Sequence, residues 1–254
     1  MAVPEFGLDD RVAIVTGASR SIGRGIAQVL AESGADVVVA GRHREDLERV
    51  AGEVEERGRR GVPVVCDVAD PDAVSELVAA CKRELGPPDI AVANAGVFQE
   101  WGPSEELTRE EWDRVVATDL TGVMLTCQEA GREMIAKGGG SIVTISSLAG
   151  LVALTGAVSY TASKFGVIGL TKALAAEWAK HGVRVNAIAP GFVERDDEPL
   201  RDDPEVLERI MGRTPLARWG KPREIGLAAA FLASPAAAFI TGAALPVDGG
   251  WVAV

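Results

Sequence analysis

The chain has 254 residues, of which 47% are hydrophobic and 25% charged, and this composition predicts one folded domain over 1–254 rather than a disordered protein. Its formal net charge of −11 disfavours nucleic acid and anionic membrane surfaces as partners, because like charges repel. The three cysteines and two histidines lack the spacing of metal or redox sites, and neither a targeting leader nor a long apolar run is present. We therefore expect a cytoplasmic protein with no metal, nucleic-acid or membrane partner.

Short runs rich in β-branched residues alternate with longer segments of helical periodicity along the chain. Seven of these runs predict strands, at residues 11–16, 36–40, 62–66, 89–93, 141–146, 183–189 and 244–247. They are apolar almost throughout, which is typical of parallel strands covered by helices on both faces. Right-handed crossovers then predict an α/β fold, a Rossmann-like doubly wound parallel sheet of seven strands with helices on both faces.

Local signals indicate where helices begin and where the alternation stops. Asp70 followed by Pro71 is typical of a helix N-terminus, and Thr108 with Glu111 matches a capping box. Residues 194–216 interrupt the alternation, because they are highly charged, contain prolines and follow a strand end where ligand crevices form. We predict that residues around 192–216 form a lid over the substrate.

The first predicted strand leads into a turn with the sequence TGASRSIG at 16–23. Gly17 and Gly23 bracket this turn, which directs a helix N-terminus toward the strand ends, where backbone N–H groups and the helix dipole favour a pyrophosphate. Neither the G-x-G-x-x-G spacing nor a P-loop is present. Glycines between a strand and a helix are also ordinary turn residues, so both interpretations stay open at this step.

Arg42 follows the second predicted strand, at the position where dinucleotide folds bind the adenosine ribose. An acidic residue there would bind the hydroxyls of NAD, whereas arginine offers a charge-assisted bond to a 2′-phosphate. Arg20, in the preceding turn, can reach the same group. The pattern favours NADP(H), with NAD(H) as the alternative if Arg42 only opens the charged helix that follows it.

Tyr160 is the only tyrosine in the chain, and Lys164 follows it by one helical turn. An i, i+4 pair shares one face of a helix, so the ammonium can lie near the phenol. At an effective dielectric of about 20, a cation ~4 Å away stabilises a phenolate by roughly 4 kcal/mol. Ser147 ends the fifth predicted strand, and its hydroxyl can donate to an oxygen on which negative charge develops. The three residues predict proton transfer at a substrate oxygen, with a buried tyrosine and a turn serine as the alternative.

Taken together, seven motifs closely resemble the short-chain dehydrogenase/reductase family. They are TGASRSIG, CDV at 66–68, ANAG at 93–96, ISS at 145–147, YTASK at 160–164, APG at 189–191 and TGAALPVDGG at 241–250. They follow the family's order and spacing over nearly the whole chain. The resemblance implies an NAD(P)-dependent oxidoreductase that interconverts a secondary alcohol and a ketone by hydride transfer.

The resemblance also implies roles for individual residues. Tyr160 would be the acid/base, Lys164 would hold the nicotinamide ribose and favour the phenolate, and Ser147 would steady the substrate oxygen. Asp119 stands where the family has a fourth catalytic residue, an asparagine. The residues that would bind the cofactor, besides Tyr160 and Lys164, are Gly17, Ser19, Arg20, Ser21, Ile22, Gly23, Arg42, Asp67, Val68, Asn94, Ala95, Gly96, Pro190, Gly191 and Val193.

Three positions depart from the family pattern. Ser21 replaces a glycine, and if its backbone needs a positive φ, the serine costs about 1 kcal/mol. Asp119 cannot donate a hydrogen bond when ionised, which would alter a proton relay through water to Lys164, although a backbone carbonyl there would still serve. Arg195 stands where a threonine usually helps to hold the nicotinamide, so we expect lid closure or cofactor orientation to differ.

The substrate is expected to be a small alcohol or ketone. Residues 175–191 and 213–225 look more like relatives that act on sugar acids and polyols, and 3-oxoacyl-thioester (acyl carrier protein) reduction is the alternative. A dinucleotide-binding sensor without turnover is a third reading. Helices near 118–137 and 158–180 carry apolar residues on more than one side, which predicts a partner subunit, and the resemblance points to a symmetric homotetramer.

Overall fold

Seven parallel strands form one sheet in the order β3-β2-β1-β4-β5-β6-β7. The computed structural model describes residues 3–195 and 204–254. The strands are β1 Val12–Thr16, β2 Asp36–Gly41, β3 Gly61–Val65, β4 Ile90–Ala93, β5 Gly140–Ile145, β6 Val183–Pro190 and β7 Ala244–Val247. Every strand pairs in parallel with its neighbours. The predicted sheet, with its seven strands, is therefore confirmed.

Helices connect the strands and cover both faces of the sheet. They are α1 Ser21–Glu32, α2 Arg44–Glu55, α3 Pro71–Glu84, α4 Arg109–Val116, α5 Gly122–Lys137, α6 Val158–Trp178, α7 Pro204–Arg213 and α8 Pro222–Ala233. A π-helical turn, Ala117–Thr121, joins α4 to α5. Within the described ranges, no helix has both the length and the apolar surface needed to cross a bilayer.

The predicted helix starts at α3 and α4 are present. Asp70 accepts a hydrogen bond from the backbone N–H of Asp72, and Thr108 accepts one from the backbone N–H of Glu111. The second half of the predicted capping box is different, because the Glu111 carboxylate binds Arg114 instead of reaching back to the N-terminus of its helix. The same carboxylate also accepts the backbone N–H of Glu100 at 3.2 Å, so both of its oxygens have partners outside the start of α4.

The core lies on both faces of the sheet, which explains why its strands are apolar throughout. In β1, Ala13 and Val15 pack with α1, α2 and α8, whereas Val12 and Ile14 pack on the opposite face with α3. Strands β5 and β6 pack against α5 and α6. Burial on both faces leaves the strand ends as the place where polar side chains can meet a ligand.

The strand order reverses at β1, because β2 and β3 lie on one side of it and β4 to β7 on the other. In open α/β sheets, ligands bind at the carboxyl ends of the strands beside such a switch point. The first residues of the predicted lid at 192–216 follow β6 at this edge. Its residues 196–203 are outside the described residues, and within α7 Ile210 packs in an apolar cluster with Leu148 and Trp251.

Candidate active site

A cleft of about 560 Å³ opens at the carboxyl edge of the sheet. All the predicted catalytic residues line it, namely Asp119, Ser147, Tyr160 and Lys164. So do all the predicted cofactor residues: Gly17, Ser19, Arg20, Ser21, Ile22, Gly23, Arg42, Asp67, Val68, Asn94, Ala95, Gly96, Pro190, Gly191 and Val193. The fold thus brings motifs from six separate parts of the chain to one cavity.

The turn after β1 is shaped by close backbone contacts. Gly17 has a φ of +63°, and a Cβ on it would lie 2.7 Å from the Cα of Ala95. A Cβ on Gly23 would lie 2.1 Å from the carbonyl oxygen of Gly17, so neither position accepts a side chain. The Asn94 side-chain amide donates to the carbonyls of Thr16 and Gly17, at 2.9 and 3.1 Å, and braces the turn. This narrow cradle at the N-terminus of α1 fits the diphosphate of a dinucleotide.

Ser21 begins α1 with a φ of +46°. This backbone region favours glycine, because the Cβ of any other residue is crowded there. Ser21 therefore has the positive φ at the position where the family pattern has a glycine, and the serine carries a backbone strain of about 1 kcal/mol.

Two arginines line the end of the cleft beyond this turn. A Cβ on Gly41 would lie 3.8 Å from the Oγ of Ser19, so the end of β2 lies directly beside the turn that carries Arg20. Arg42 follows β2 and is exposed at the same end of the cleft. Asp67, also exposed there, accepts a hydrogen bond at 3.0 Å from the backbone N–H of Ala69. The guanidinium groups of Arg20 and Arg42 can therefore bind an anionic group at the outer end of a dinucleotide.

Tyr160 and Lys164 lie one turn apart near the start of α6. The Lys164 Nζ is 5.3 Å from the centroid of the Tyr160 ring and 3.3 Å from the carbonyl oxygen of Ile145, to which it donates. The lysine is only 3% exposed. Ser147 accepts a hydrogen bond from the backbone N–H of Ala149 at 3.1 Å, which orients its Oγ at the end of β5. The arrangement places one phenol and one hydroxyl at the cleft, with a buried cation beside the phenol.

Asp119 lies in the π-helical turn between α4 and α5, and its side chain is fully buried. Its Oδ1 accepts a hydrogen bond at 2.7 Å from the backbone N–H of Val97, and its Oδ2 is 3.1 Å from the Lys164 Nζ. Burial alone would lower the pKa of Lys164, but the Asp119 carboxylate and the Tyr160 phenol outweigh it, so that pKa is raised. The carboxylate thus contacts the ammonium directly, where the family pattern has a neutral amide.

Aromatic side chains that carry no recognised motif form two walls of the cleft. On one wall, the Phe98 ring centroid is 4.6 Å from that of Tyr160 and 4.9 Å from that of Trp101. On the other, Phe192 meets Trp219 edge-on at 5.8 Å. The sequence contains a usable signal for three of them, because Phe98 and Trp101 follow the strand-end motif ANAG and Phe192 follows APG, whereas Trp219 has no such signal. A substrate at Tyr160 would lie between apolar surfaces.

Comparison with known proteins agrees with this geometry. The family model described as enoyl-(acyl carrier protein) reductase matches residues 17–252. Gluconate 5-dehydrogenase of Gluconobacter oxydans (strain 621H) is 42% identical over 246 residues, 96% of this chain and 96% of that protein. Cis-4-hydroxycyclohexanecarboxylate dehydrogenase of Sinomonas cyclohexanicum is 43% identical over 247 residues, 96% of this chain and 98% of that protein.

A solved structure matches closely as well. The crystal structure of a gluconate 5-dehydrogenase from Burkholderia cenocepacia J2315, in complex with NADP and tartrate, has a TM-score of 0.94 at 36% identity. The match covers 99% of this chain and 98% of that one.

Proposed function

Because this chain belongs to the short-chain dehydrogenase/reductase family, we propose that its cleft oxidises a secondary hydroxyl of a small hydroxy acid with NADP⁺ and reduces the matching ketone with NADPH. The protein is an NAD(P)-dependent oxidoreductase that interconverts secondary alcohols and ketones. The observation that carries the proposal is the meeting of Tyr160, Lys164 and Ser147 beside the glycine turn in one cleft.

Proton transfer falls to Tyr160. In the oxidation direction its phenolate takes the proton of the substrate hydroxyl, and in reduction the phenol returns a proton to the ketone oxygen. When bound, the oxidised nicotinamide would accept a hydride from the carbon that bears the hydroxyl, and the reduced form would return a hydride to the carbonyl carbon. The Ser147 hydroxyl donates to the substrate oxygen, where negative charge develops. The Lys164 ammonium would stabilise the phenolate and bind the nicotinamide ribose.

NADP(H) is the cofactor that the outer end of the cleft favours. Arg42 and Arg20 offer charge-assisted bonds to a 2′-phosphate, and a similar solved structure contains NADP. Asp67 and Val68 would contact the adenine, and Asn94 to Gly96 would line the centre of the cofactor. The backbone from Pro190 to Val193 would hold the carboxamide. NAD(H) is the alternative.

The substrate class follows from what two similar enzymes share. Gluconate and 4-hydroxycyclohexanecarboxylate both carry a carboxylate several bonds from the hydroxyl that the enzyme's name specifies. Arg195 lines the same cleft and follows Phe192 by three positions in the chain. The aromatic walls suit the C–H face of a ring or sugar chain, and the arginine suits the carboxylate. We therefore favour a sugar acid or a ring hydroxy acid, with polyols and 3-oxoacyl thioesters as the alternatives.

Two exposed apolar surfaces support a homotetramer. On α6, a stripe of exposed small or apolar residues runs at helical spacing through Ala162, Phe165, Gly169, Ala173 and Ala176. Away from α6, the side chains of Leu227 on α8 and Phe239 are also exposed, that of Phe239 fully. Separate apolar patches of this kind are typical of subunit contacts, and two of them generate a tetramer with two-fold axes.

We place catalysis and cofactor binding in one domain over 1–254, with 192–216 as the substrate lid, in a cytoplasmic enzyme. The three free cysteines are buried, and burial raises the pKa of Cys66 to about 11, with Asp67 and Asp70 adding to the rise. Unpaired thiols of this kind suit a reducing compartment.

A substrate panel tests the proposal. Purified protein is assayed with both cofactors against gluconate, a 4-hydroxycyclohexanecarboxylate, a polyol and an acetoacetyl thioester, with nicotinamide absorbance as the readout. We expect turnover with the hydroxy acids and NADP⁺, and loss of turnover in Tyr160→Phe with NADPH affinity retained. Tight NADPH binding with no turnover across the panel would instead favour the sensor, and full activity of Tyr160→Phe would remove the proposed role of the phenol.

A further inference from the structure

The helix that carries Tyr160 begins without a cap of its own. Its N-cap residue is Ala157, whose side chain cannot accept a hydrogen bond. The first backbone N–H groups of an α-helix have no partner inside the helix, and Tyr160 lies in this first turn. The position of the phenol therefore depends on what binds these N–H groups from outside.

Gln99, in the loop after β4, supplies the missing cap. Its Oε1 accepts the backbone N–H groups of Ser159 and Tyr160, at 2.8 and 3.2 Å, and the Ser159 hydroxyl at 2.6 Å. Its Nε2 donates to the carbonyl oxygen of Gly156 at 3.1 Å, just before the helix. Gln99 is 3% exposed and Ser159 is fully buried, so water cannot replace these bonds if they are lost.

The loop that carries Gln99 is itself held on its N-terminal side. The backbone N–H of Val97 donates to Asp119, the residue that contacts Lys164. Arg114 of α4 donates to the carbonyl oxygen of Phe98 at 2.8 Å. Gln99 is therefore a fixed support, and it joins the loop that lines the cleft to the start of the catalytic helix.

The neutrality of Gln99 also has a physical reason. A carboxylate at this N-terminus would interact more strongly with the helix dipole. It would also place a negative charge beside the phenolate that Tyr160 must form, and like charges oppose that ionisation. An amide oxygen accepts the same hydrogen bonds without that penalty.

We propose that Gln99 is a positioning residue for the reaction, which sets the Tyr160 phenol in place by capping α6 from the neighbouring loop. The inference rests on the role proposed above for Tyr160. It adds a residue to the site that contacts neither the substrate nor the reacting atoms.

Two substitutions in the full chain test this inference. Gln99→Met keeps the length of the side chain but cannot accept the three hydrogen bonds, whereas Gln99→Glu keeps an acceptor and adds a charge. The matched control is Thr108→Ala, which removes the side-chain cap of α4. That helix carries none of the residues proposed to transfer the proton. Each variant is compared with the wild type in kcat, NADPH dissociation constant, melting temperature and the pH profile of alcohol oxidation.

We expect Gln99→Met to lower kcat by about tenfold or more, while the NADPH dissociation constant changes by less than about twofold. Gln99→Glu should be more active at high pH than Gln99→Met. Its pH profile of alcohol oxidation should be displaced from that of the wild type by roughly one unit toward higher pH. Thr108→Ala should lose melting temperature without losing kcat. If Gln99→Met does not fold, the pH profile of Gln99→Glu decides the question alone.

Three results would overturn the inference: a Gln99→Met variant with wild-type kcat, a Gln99→Glu variant with an unchanged pH profile, or an equal loss of kcat in Thr108→Ala. Tyr160→Phe, measured in parallel, separates this inference from the proposed function. An active Tyr160→Phe enzyme refutes the role of the phenol, whereas an inactive one beside a fully active Gln99→Met refutes only the role of Gln99.

Discussion

The Asp119 carboxylate lies 3.1 Å from the Lys164 ammonium, and the two side chains are 0% and 4% exposed. A buried ion pair gains little net stability, because desolvation of two charges offsets their attraction, but removing one partner leaves the other charge buried alone. The pair therefore keeps Lys164 charged beside Tyr160. It also places a negative charge near the phenol, where an asparagine would place none.

The pH profile should report that negative charge. Asp119→Asn keeps an acceptor for the Val97 N–H but removes the negative charge, so the phenolate forms more easily at every pH at which the unpaired Lys164 still carries its proton. We expect the profile of kcat for alcohol oxidation to move to lower pH by roughly one unit, equivalent to about 1.4 kcal/mol. Asp113→Asn, an exposed carboxylate of α4 paired with Arg109, is the control and should leave the profile unchanged. A shift to higher pH in Asp119→Asn would contradict this account.

The same pair predicts how stability depends on pH. The folded pKa of Lys164 is raised, so its contribution is fully present below the unfolded value of about 10.4 and is lost as the pH rises through the folded value. Near pH 8, the free energy of unfolding of Asp119→Asn should be about 3 kcal/mol lower than that of the wild type, because the substitution leaves a buried cation unpaired. Denaturant unfolding at increasing pH should show this gap narrowing in the alkaline range, and a constant gap would refute the prediction.

Cofactor preference should follow Arg42. The Arg42→Asp substitution removes a charge-assisted bond worth about 1.5–3 kcal/mol, and the new carboxylate repels a 2′-phosphate. We expect the ratio of kcat/KM for NADPH over NADH to fall by roughly 100-fold. Arg44→Asp, in a neighbouring arginine that pairs with Glu48 outside the cleft, is the control. An unchanged ratio in Arg42→Asp would remove that residue from cofactor selection.

The strain at Ser21 can be measured by two substitutions that both delete its hydroxyl. Because Ser21 has a φ of +46°, Ser21→Gly should be more stable than Ser21→Ala by about 1 kcal/mol. Chemical denaturation of the two variants provides the comparison, and comparing them with each other cancels any contribution of the hydroxyl. Equal stabilities would mean that this turn carries no backbone strain.

The substrate proposal predicts a selective effect at Arg195. Arg195→Met should raise KM for 4-hydroxycyclohexanecarboxylate by roughly tenfold or more, because a charge-assisted bond to the carboxylate is lost. The uncharged amide of the same ring alcohol should show little change. Steady-state kinetics with the two substrates measure this difference. An equal rise in both KM values would point to a general effect on the cleft instead of carboxylate recognition.

Local pattern was sufficient for the sheet and for most of the cleft. Strand periodicity, apolar runs and turn glycines depend on neighbours along the chain, so all seven strands could be predicted from them. Residues that follow parallel strands meet at one edge of the sheet, which is why Gly17 and Ser147 could be assigned to one cleft from the strand pattern, whereas Asn94 and Pro190 were assigned to it only by the resemblance to the family.

Contacts between distant segments could not be predicted in this way. Gln99 caps a helix 60 positions further along the chain, and nothing in the composition of either segment indicates that bond. The direct contact of Asp119 with Lys164 and the two aromatic walls depend likewise on how loops and helices pack over the strand ends. Sequence periodicity specifies which face of an element is buried, whereas side-chain partners across the cleft are set by distances that arise only when the elements assemble.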